Sequence, residues 1–413
     1  MNDNTTPEFY ETAPIKGAER IGSLDLLRGF AVLGILVINI QWFSMPGLTG
    51  FNPTIYGDLT GINRIVWTVS HLLGEVKFMT IFSMLFGAGI VLFCQRLEQS
   101  NMKPAKIYYR RTLWLLFFGI LHAYLFWTGD ILVWYSLSGL LAYLFWRLRP
   151  GWLVFWSALL LLIGTGIYAL FQWSMPYWPQ EAFQSNKDMW APSSEAIQQY
   201  LDIYRGGWIN QMTDRLPTSL TMHTFIYLIY GLWRTLGIML AGMALMKWGV
   251  LSAQRSKRFF LTVVIVGLTT GFSITGYGIY QNMIHNFAFE YSMFGGTLFN
   301  YWGSILVALA YISLIMLWWN SNYGTWCKSA LSATGRMAFS CYITQTVICT
   351  TLFFGHGFGL FGYVPRWGQF CIVVSIWIII VLWANIWLKK YRFGPLEWLW
   401  RSLTYWKRQP MKL

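Results

Sequence analysis

RTLWLLFFGILHAYLFWTGDILVWYSLSGLLAYLFWR, residues 111–147, holds two apolar runs that meet at Thr128-Gly129-Asp130. The runs 111–127 and 130–147 are each long enough to cross a bilayer, which takes about 17–25 residues. The junction leaves room only for a tight antiparallel hairpin. Within it, His122 lies about a turn and a half inside the first run, and Asp130 opens the second. A chain built from such runs buries its backbone polar groups in helices and turns its apolar side chains to lipid.

Eight further runs of this kind follow outward from the hairpin, at 25–42, 72–94, 152–173, 222–246, 259–281, 299–319, 332–354 and 369–388. Glu75 and Lys77 interrupt the run at 72–94, so a re-entrant segment is an alternative to a full span there. Over the 413 residues, 56% are hydrophobic and only 11% are charged. A soluble domain carries about 25% charged residues. The composition therefore excludes a soluble enzyme, a disordered chain and a disulfide-stapled secreted domain. The formal charge of +14 is explained by Lys and Arg gathered in cytoplasmic loops, and it calls for no nucleic-acid partner. The fold expected is an all-α polytopic membrane helix bundle of about ten transmembrane helices.

The distribution of cations orients the bundle. With both termini cytoplasmic, 22 Lys and Arg residues fall inside, 5 fall outside, and Arg28, Lys77 and Arg234 lie within spans. That bias fits an even number of spans and predicts a multi-pass membrane protein with both termini cytoplasmic. Residues 1–24 read as a polar cytoplasmic N-terminus without a removable signal peptide, and 25–390 as the transmembrane domain. Residues 174–221 read as an outer loop or small helical cap, and 391–413 as an interfacial amphipathic helix with a basic tail. In that tail Leu396, Leu399, Trp400 and Leu403 repeat at i, i+3, i+4, i+7 beside Arg401, Lys407 and Arg408, the pattern of a helix lying in the membrane surface. The tryptophans near span ends, such as Trp42, Trp127, Trp173 and Trp319, read as interface belts. Cys94, Cys341, Cys349 and Cys371 lie in apolar runs and read as buried thiols. Gly357-Phe358-Gly359-Leu360-Phe361-Gly362 matches a dinucleotide fingerprint only by accident, because no strand precedes it. Gly267-x-x-x-Gly271 reads as a helix-packing notch.

Ionisable groups inside spans carry the functional information, since each costs about 2.5–3.5 kcal/mol unless paired or wet. Asp25 and Arg28 share one helix face, either as a helix-capping acid with a snorkelling cation or as part of a site. Glu75 and Lys77 are two apart, so each seeks a partner on another helix, or the chain unwinds there around a wet cavity. His122 is either a hydrogen-bonded structural residue or a base. The hairpin brings Asp130 to it within direct or one-water range, and an acid that orients an imidazole is the recurring arrangement of a general base. Capping of the following helix is the alternative for Asp130.

Leu24-Asp25-Leu26-Leu27-Arg28-Gly29-Phe30-Ala31 resembles the L-D-x-x-R-G-x-A signature of the transmembrane acyltransferase superfamily, which includes the acyltransferase-3 O-acetylases and heparan-alpha-glucosaminide N-acetyltransferase. Four further segments resemble the YeiB-like family of bacterial inner-membrane proteins. They are Lys77-Phe78 to Leu85-Phe86-Gly87-Ala88-Gly89; His122 through Trp127 to Gly129-Asp130-Ile131-Leu132; Gly335-Arg336-Met337-Ala338 to Tyr342 and Gln345; and Gly394-Pro395 to Glu397-Trp398-Leu399-Trp400-Arg401. Acyltransferase-3 proteins place a histidine eleven residues after the motif arginine, where this chain has Asn39, and often a second histidine where it has Gln345. The resemblance implies an acyl-CoA donor. Arg28, with Asp25, Asn39, Lys77, Arg336, Tyr342 and Gln345, would line the donor and substrate region, and His122, with Asp130 or Glu75, would act as base. The function expected is acyl transfer from a cytoplasmic donor to a lipid- or sugar-linked acceptor, and the alternative is transport of a small solute or lipid-linked metabolite. The lipid bilayer is the expected surrounding, a homo-oligomer is allowed, and no metal or resident cofactor is expected.

Overall fold

The computed structural model describes residues 21–413, and the expected N-terminal segment, with Lys16 and Arg20, lies outside the described residues except for its last four. Those four turn out to lead into and begin the first helix, α1, which spans Gly22–Ser44. A loop with one 3₁₀ turn leads to α2 (Gly61–Gly74) and α3 (Lys77–Gln99). The hairpin follows as α4 (Pro104–Leu125) and α5 (Leu132–Ala142), then α6 (Pro150–Ser174). Three short helices come next, α7 (Gln180–Trp190), α8 (Ser194–Arg205) and α9 (Trp208–Thr221). A π-helical stretch, Met222–Gly231, continues into α10 (Leu232–Lys247), and α11 (Lys257–Ile284) returns. The single turn α12 (Phe289–Tyr291) and a π turn open α13 (Thr297–Trp319). The chain ends with α14 (Thr325–Arg336), α15 (Ala338–Phe353), α16 (Arg366–Trp387) and α17 (Pro395–Tyr405). The protein is an all-α polytopic helix bundle. Seven of its described helical segments are long and apolar enough to cross a membrane, and two shorter apolar ones, Leu132–Phe145 and Ala338–Phe353, accompany them.

Burial separates centre from rim. Two thirds of the most apolar window of α1 is buried (67%), against 22% for α6 and for α16 and 28% for α11. The rim helices instead expose large apolar residues, among them Trp152 and Leu162, Ile265 and Val266, and Ile378 and Leu382. Water would punish that surface and lipid does not. Helix α1 sits at the middle, in contact with α3 and α13 on one side and α14, α15 and α16 on the other.

Close approach of backbones explains two of the sequence motifs. Gly29 on α1 and Gly335 on α14 face each other, so that a Cβ at Gly335 would run into the Asp25 carbonyl and one at Gly29 into the Leu331 carbonyl. The glycines following Arg28 and preceding Arg336 are therefore where two backbones touch. The Gly267/Gly271 notch also holds: a Cβ at Gly267 would lie 2.7 Å from the Leu306 carbonyl oxygen and one at Gly271 3.0 Å from that of Gly303, on α13.

Several expectations need correction. The run 72–94 is two helices, broken where Val76 takes φ +65°, an unusual conformation for a β-branched residue. Cross-links from another helix hold the break: Lys77 Nζ donates to the His71 carbonyl (3.0 Å) and to Asn300 Oδ1 (2.7 Å), and Asn300 Nδ2 donates to the Glu75 carbonyl (3.3 Å). The run 332–354 likewise divides at Met337, between α14 and α15. Cys371 is exposed on a rim helix rather than buried. Trp127 is no belt residue; it is 4% exposed and stacks on Phe43 at 3.9 Å.

Candidate functional site

The hairpin turn does bring His122 and Asp130 together. His122 lies one turn before the end of α4, and its Nδ1 is 2.7 Å from Asp130 Oδ1. The other carboxylate oxygen, Oδ2, accepts the Val133 backbone N–H at 2.8 Å. Capping of α5 and orientation of the imidazole are thus not alternatives, because one carboxylate does both, one oxygen to each. A carboxylate only accepts, so Nδ1 donates to it, and in the neutral imidazole Nε2 is then the nitrogen that holds the lone pair. Nε2 lies 3.0 Å from Thr346 Oγ1 on α15. The tautomer follows from the hydrogen bonds, as the geometry requires. His122, Asp130 and Thr346 are 3%, 5% and 1% exposed, so the chain of three is dry and its bonds are correspondingly strong.

Around this chain, Tyr342 sets its ring edge-on to the imidazole, with centroids 5.2 Å apart. The Tyr342 hydroxyl is buried near the Ile131 backbone and donates to no acceptor among the described residues. Gln345 turns to α1 and donates to the Val32 carbonyl at 2.9 Å, which ties α15 to the central helix. From outside, α9 seals the end of α4. The Leu125 carbonyl accepts from Trp208 Nε1 (2.8 Å) and from the buried Arg215 Nη1 (2.8 Å), and the Ala123 carbonyl accepts from Ser219 Oγ (3.1 Å). Helix-terminal carbonyls that would otherwise need water are satisfied by side chains instead.

Glu75, expected as an alternative partner of His122, does not join it. It lies at the α2–α3 break with Lys77, whose 0% exposure leaves the ammonium to carbonyl and amide acceptors. Arg234, 1% exposed, completes this second cluster: it donates to the Tyr301 carbonyl (2.7 Å), Thr80 Oγ1 (3.0 Å) and Ser304 Oγ (2.8 Å). Asn39 is half-buried on α1 and makes no hydrogen bond to the His122 chain.

At the opposite, cation-rich end, Asp25 and Arg28 pair at 3.0 Å, with the carboxylate buried (4%) and the guanidinium partly accessible (32%). The charges of Arg28 and Arg401 both act on Arg111, which stacks 3.7 Å from the centre of the Trp400 ring. The C-terminal helix is fastened there. Glu397 Oε1 accepts the backbone N–H groups of Phe339 (2.8 Å) and Ser340 (3.1 Å), and its Oε2 accepts from Ser340 Oγ (2.5 Å). An acid in the first turn of α17 therefore caps α15, the helix that carries Tyr342 and Thr346. Arg336 donates to the Arg392 carbonyl at 3.3 Å. Arg111 and His122 share one face of α4, eleven residues and three turns apart. That periodicity was present in the sequence, and Arg111 was readable from it. Thr346 had a weaker signal, one turn beyond Tyr342. Arg215 had none.

Residues 245–407 match a family described as "Protein of unknown function (DUF418)". The chain is 33% identical over 391 residues to "Uncharacterized protein YeiB" of Escherichia coli (strain K12), which covers 94% of this chain and 96% of that one. It is 28% identical over 414 residues to "Uncharacterized protein YxaH" of Bacillus subtilis (strain 168), covering 95% and 96%. A protein of Bacillus acidopullulyticus, "Uncharacterized 39.9 kDa protein in amylase 3'region", is 28% identical over 401 residues, with 97% and 98% covered. End-to-end likeness at this level places the protein in the YeiB-like family of polytopic membrane proteins.

Proposed function

We propose that the protein is a membrane-embedded acyltransferase of the bacterial inner membrane, with both termini in the cytoplasm. It would move an acyl group from an acyl-CoA-like donor to a lipid- or sugar-linked acceptor reached from the outer half of the bundle. The observation that carries this reading is the buried pairing of His122 with Asp130, which engages Nδ1 and leaves Nε2 as the basic nitrogen of the neutral imidazole. That nitrogen lies on the face of α4 that bears Arg111, three turns away. Eleven residues of helix rise about 16 Å, a separation suited to a donor whose phosphates rest at one end while its thioester reaches the other. Arg28 and Arg111 would hold the phosphates, since guanidinium groups match phosphate oxygens in pairs. His122 takes a proton from the attacking group, and Asp130 holds the imidazole in the correct tautomer.

The Lys77–Arg234 cluster supports a second reading, transport of a small anionic solute or lipid-linked metabolite. Two cations buried among helices, with Glu75 as the acid beside Lys77 among the described residues, are what an ion or substrate pathway requires. Binding separates the two readings. Acetyl-CoA binding by purified protein should weaken about tenfold or more in Arg28→Ala, and Arg28→Lys should not restore a paired contact. Equal affinity in all three proteins would remove the donor site and favour transport.

A further inference from the structure

We propose that Thr346 is the nucleophile of a covalent transfer cycle, and that the acyl group rests on its Oγ1 between donor and acceptor; this builds on the acyl-transfer reading above. Asp130 Oδ1, His122 Nδ1 and Nε2, and Thr346 Oγ1 form a continuous acid–base–hydroxyl chain, with links of 2.7 Å and 3.0 Å. Those are the distances and the order of a carboxylate that orients an imidazole and an imidazole that activates an alcohol.

The behaviour of the hydroxyl itself supports this. A threonine inside a helix commonly donates to the carbonyl four residues back. Thr404, Thr112 and Thr80 do so here, at 2.7, 3.0 and 2.9 Å. Thr346 is 3.5 Å from the Tyr342 carbonyl and closer, at 3.0 Å, to the imidazole nitrogen. The hydroxyl oxygen is closer to the imidazole than to the carbonyl of its own helix. The second observation is the Tyr342 hydroxyl, on the preceding turn of α15. It is a donor without a partner among the described residues, on a side chain only 7% exposed. An unused donor on the turn before the nucleophile is what the oxygen of an attacked carbonyl needs.

The chemistry balances within these groups. Thr346 Oγ1 attacks the thioester carbonyl carbon as its proton passes to His122 Nε2. The carbon–sulfur bond then breaks, and the leaving thiolate takes that proton, which leaves an ester on Thr346. An acceptor hydroxyl or amine next gives its proton to Nε2 and attacks the ester carbonyl. The bond to Oγ1 breaks, and the threonine oxygen recovers the proton. Burial of the site keeps water away from the ester between the two halves.

The test needs no knowledge of the acceptor. Purified protein mixed with acetyl-CoA should release about one equivalent of free thiol in a burst and gain the mass of one acetyl group, located on the peptide containing Thr346. Thr346→Ser should keep the burst. Thr346→Val, which keeps the shape, should lose it by about 100-fold or more while its thermal midpoint and acetyl-CoA affinity stay close to wild type. Protein that consumes acetyl-CoA with no adduct, carries the adduct elsewhere, or reacts equally well as Thr346→Val overturns the nucleophile and leaves acyl transfer standing. Protein that binds no acetyl-CoA overturns both.

Discussion

Replacing Asp130 by Asn tests the central couple most sharply, because the carboxylate uses its two oxygens for two different tasks. The amide has one oxygen. If it keeps the Val133 N–H, which now lies 2.8 Å from Oδ2, the NH₂ group faces His122 Nδ1. That nitrogen must then accept, and the imidazole proton moves to Nε2. The base is lost although every atom stays in place. A wrong tautomer of this kind costs about 10³- to 10⁴-fold in rate, on the order of 4–5.5 kcal/mol of transition-state stabilisation. The loss in stability should be smaller. Asn caps a helix about as well as Asp, and one charge-assisted hydrogen bond is replaced by a neutral one, so about 1–2 kcal/mol is expected. Rates come from thiol release from acetyl-CoA in reconstituted vesicles and stability from thermal unfolding. His122→Gln should fall to a similar residual rate, and the double variant should be no slower than the worse single, as for groups that act as one unit. Independent multiplicative losses, or a rate loss no larger than the stability loss implies, would refute the couple as a catalytic device and return His122 to a structural role.

Three further outcomes follow from the geometry. Cysteine placed at Lys103 and the native, exposed Cys327 should be labelled from one face of the membrane, and cysteine placed at Asp202 from the other, in a background where Cys371 is replaced; labelling of all three from one side refutes the orientation. Gly335→Ala forces a methyl group into the Asp25 carbonyl where two helix backbones touch, so it should destabilise by about 1–3 kcal/mol or block folding, whereas Gly276→Ala, with nothing near its Cβ, should be neutral or slightly stabilising in unfolding titrations. The third concerns acid. Asp58, in the loop before α2, accepts from Thr60 Oγ1 (2.7 Å), Asn63 Nδ2 (2.8 Å) and the Thr60 N–H (2.9 Å). Those bonds hold its carboxyl below the usual value of 3.8. A depressed folded value means that the contribution is present above 3.8 and fades as pH falls through the lower folded value. Asp58→Asn should therefore flatten the stability profile only on its acid limb. A profile unchanged there refutes the role.

The sequence by itself determined the all-α bundle, because the length and apolarity of a run are properties of neighbouring residues and lipid imposes a helix on each. It also brought Asp130 to His122 within direct or one-water range, and the structure made the contact direct, at 2.7 Å. A short connection, residues 126–131, fixes α4 and α5 side by side, and the short rise from Asp130 back to His122 leaves the side chains within reach. The amphipathic α17 was legible for the same local reason, in its i, i+3, i+4, i+7 spacing. Tertiary structure decided the rest. The break at Val76 depends on Asn300, more than 220 residues away, and no local propensity would place φ +65° on a valine. The acid of α17 reads in sequence as a partner for its own helix end, yet it caps α15, 57 and 58 residues back. Thr346 meets His122 across 224 residues. Which hydroxyl faces a base depends on how α15 packs against α4 and α1, and the sequence around Thr346 reads only as one more apolar helix with a few small polar groups.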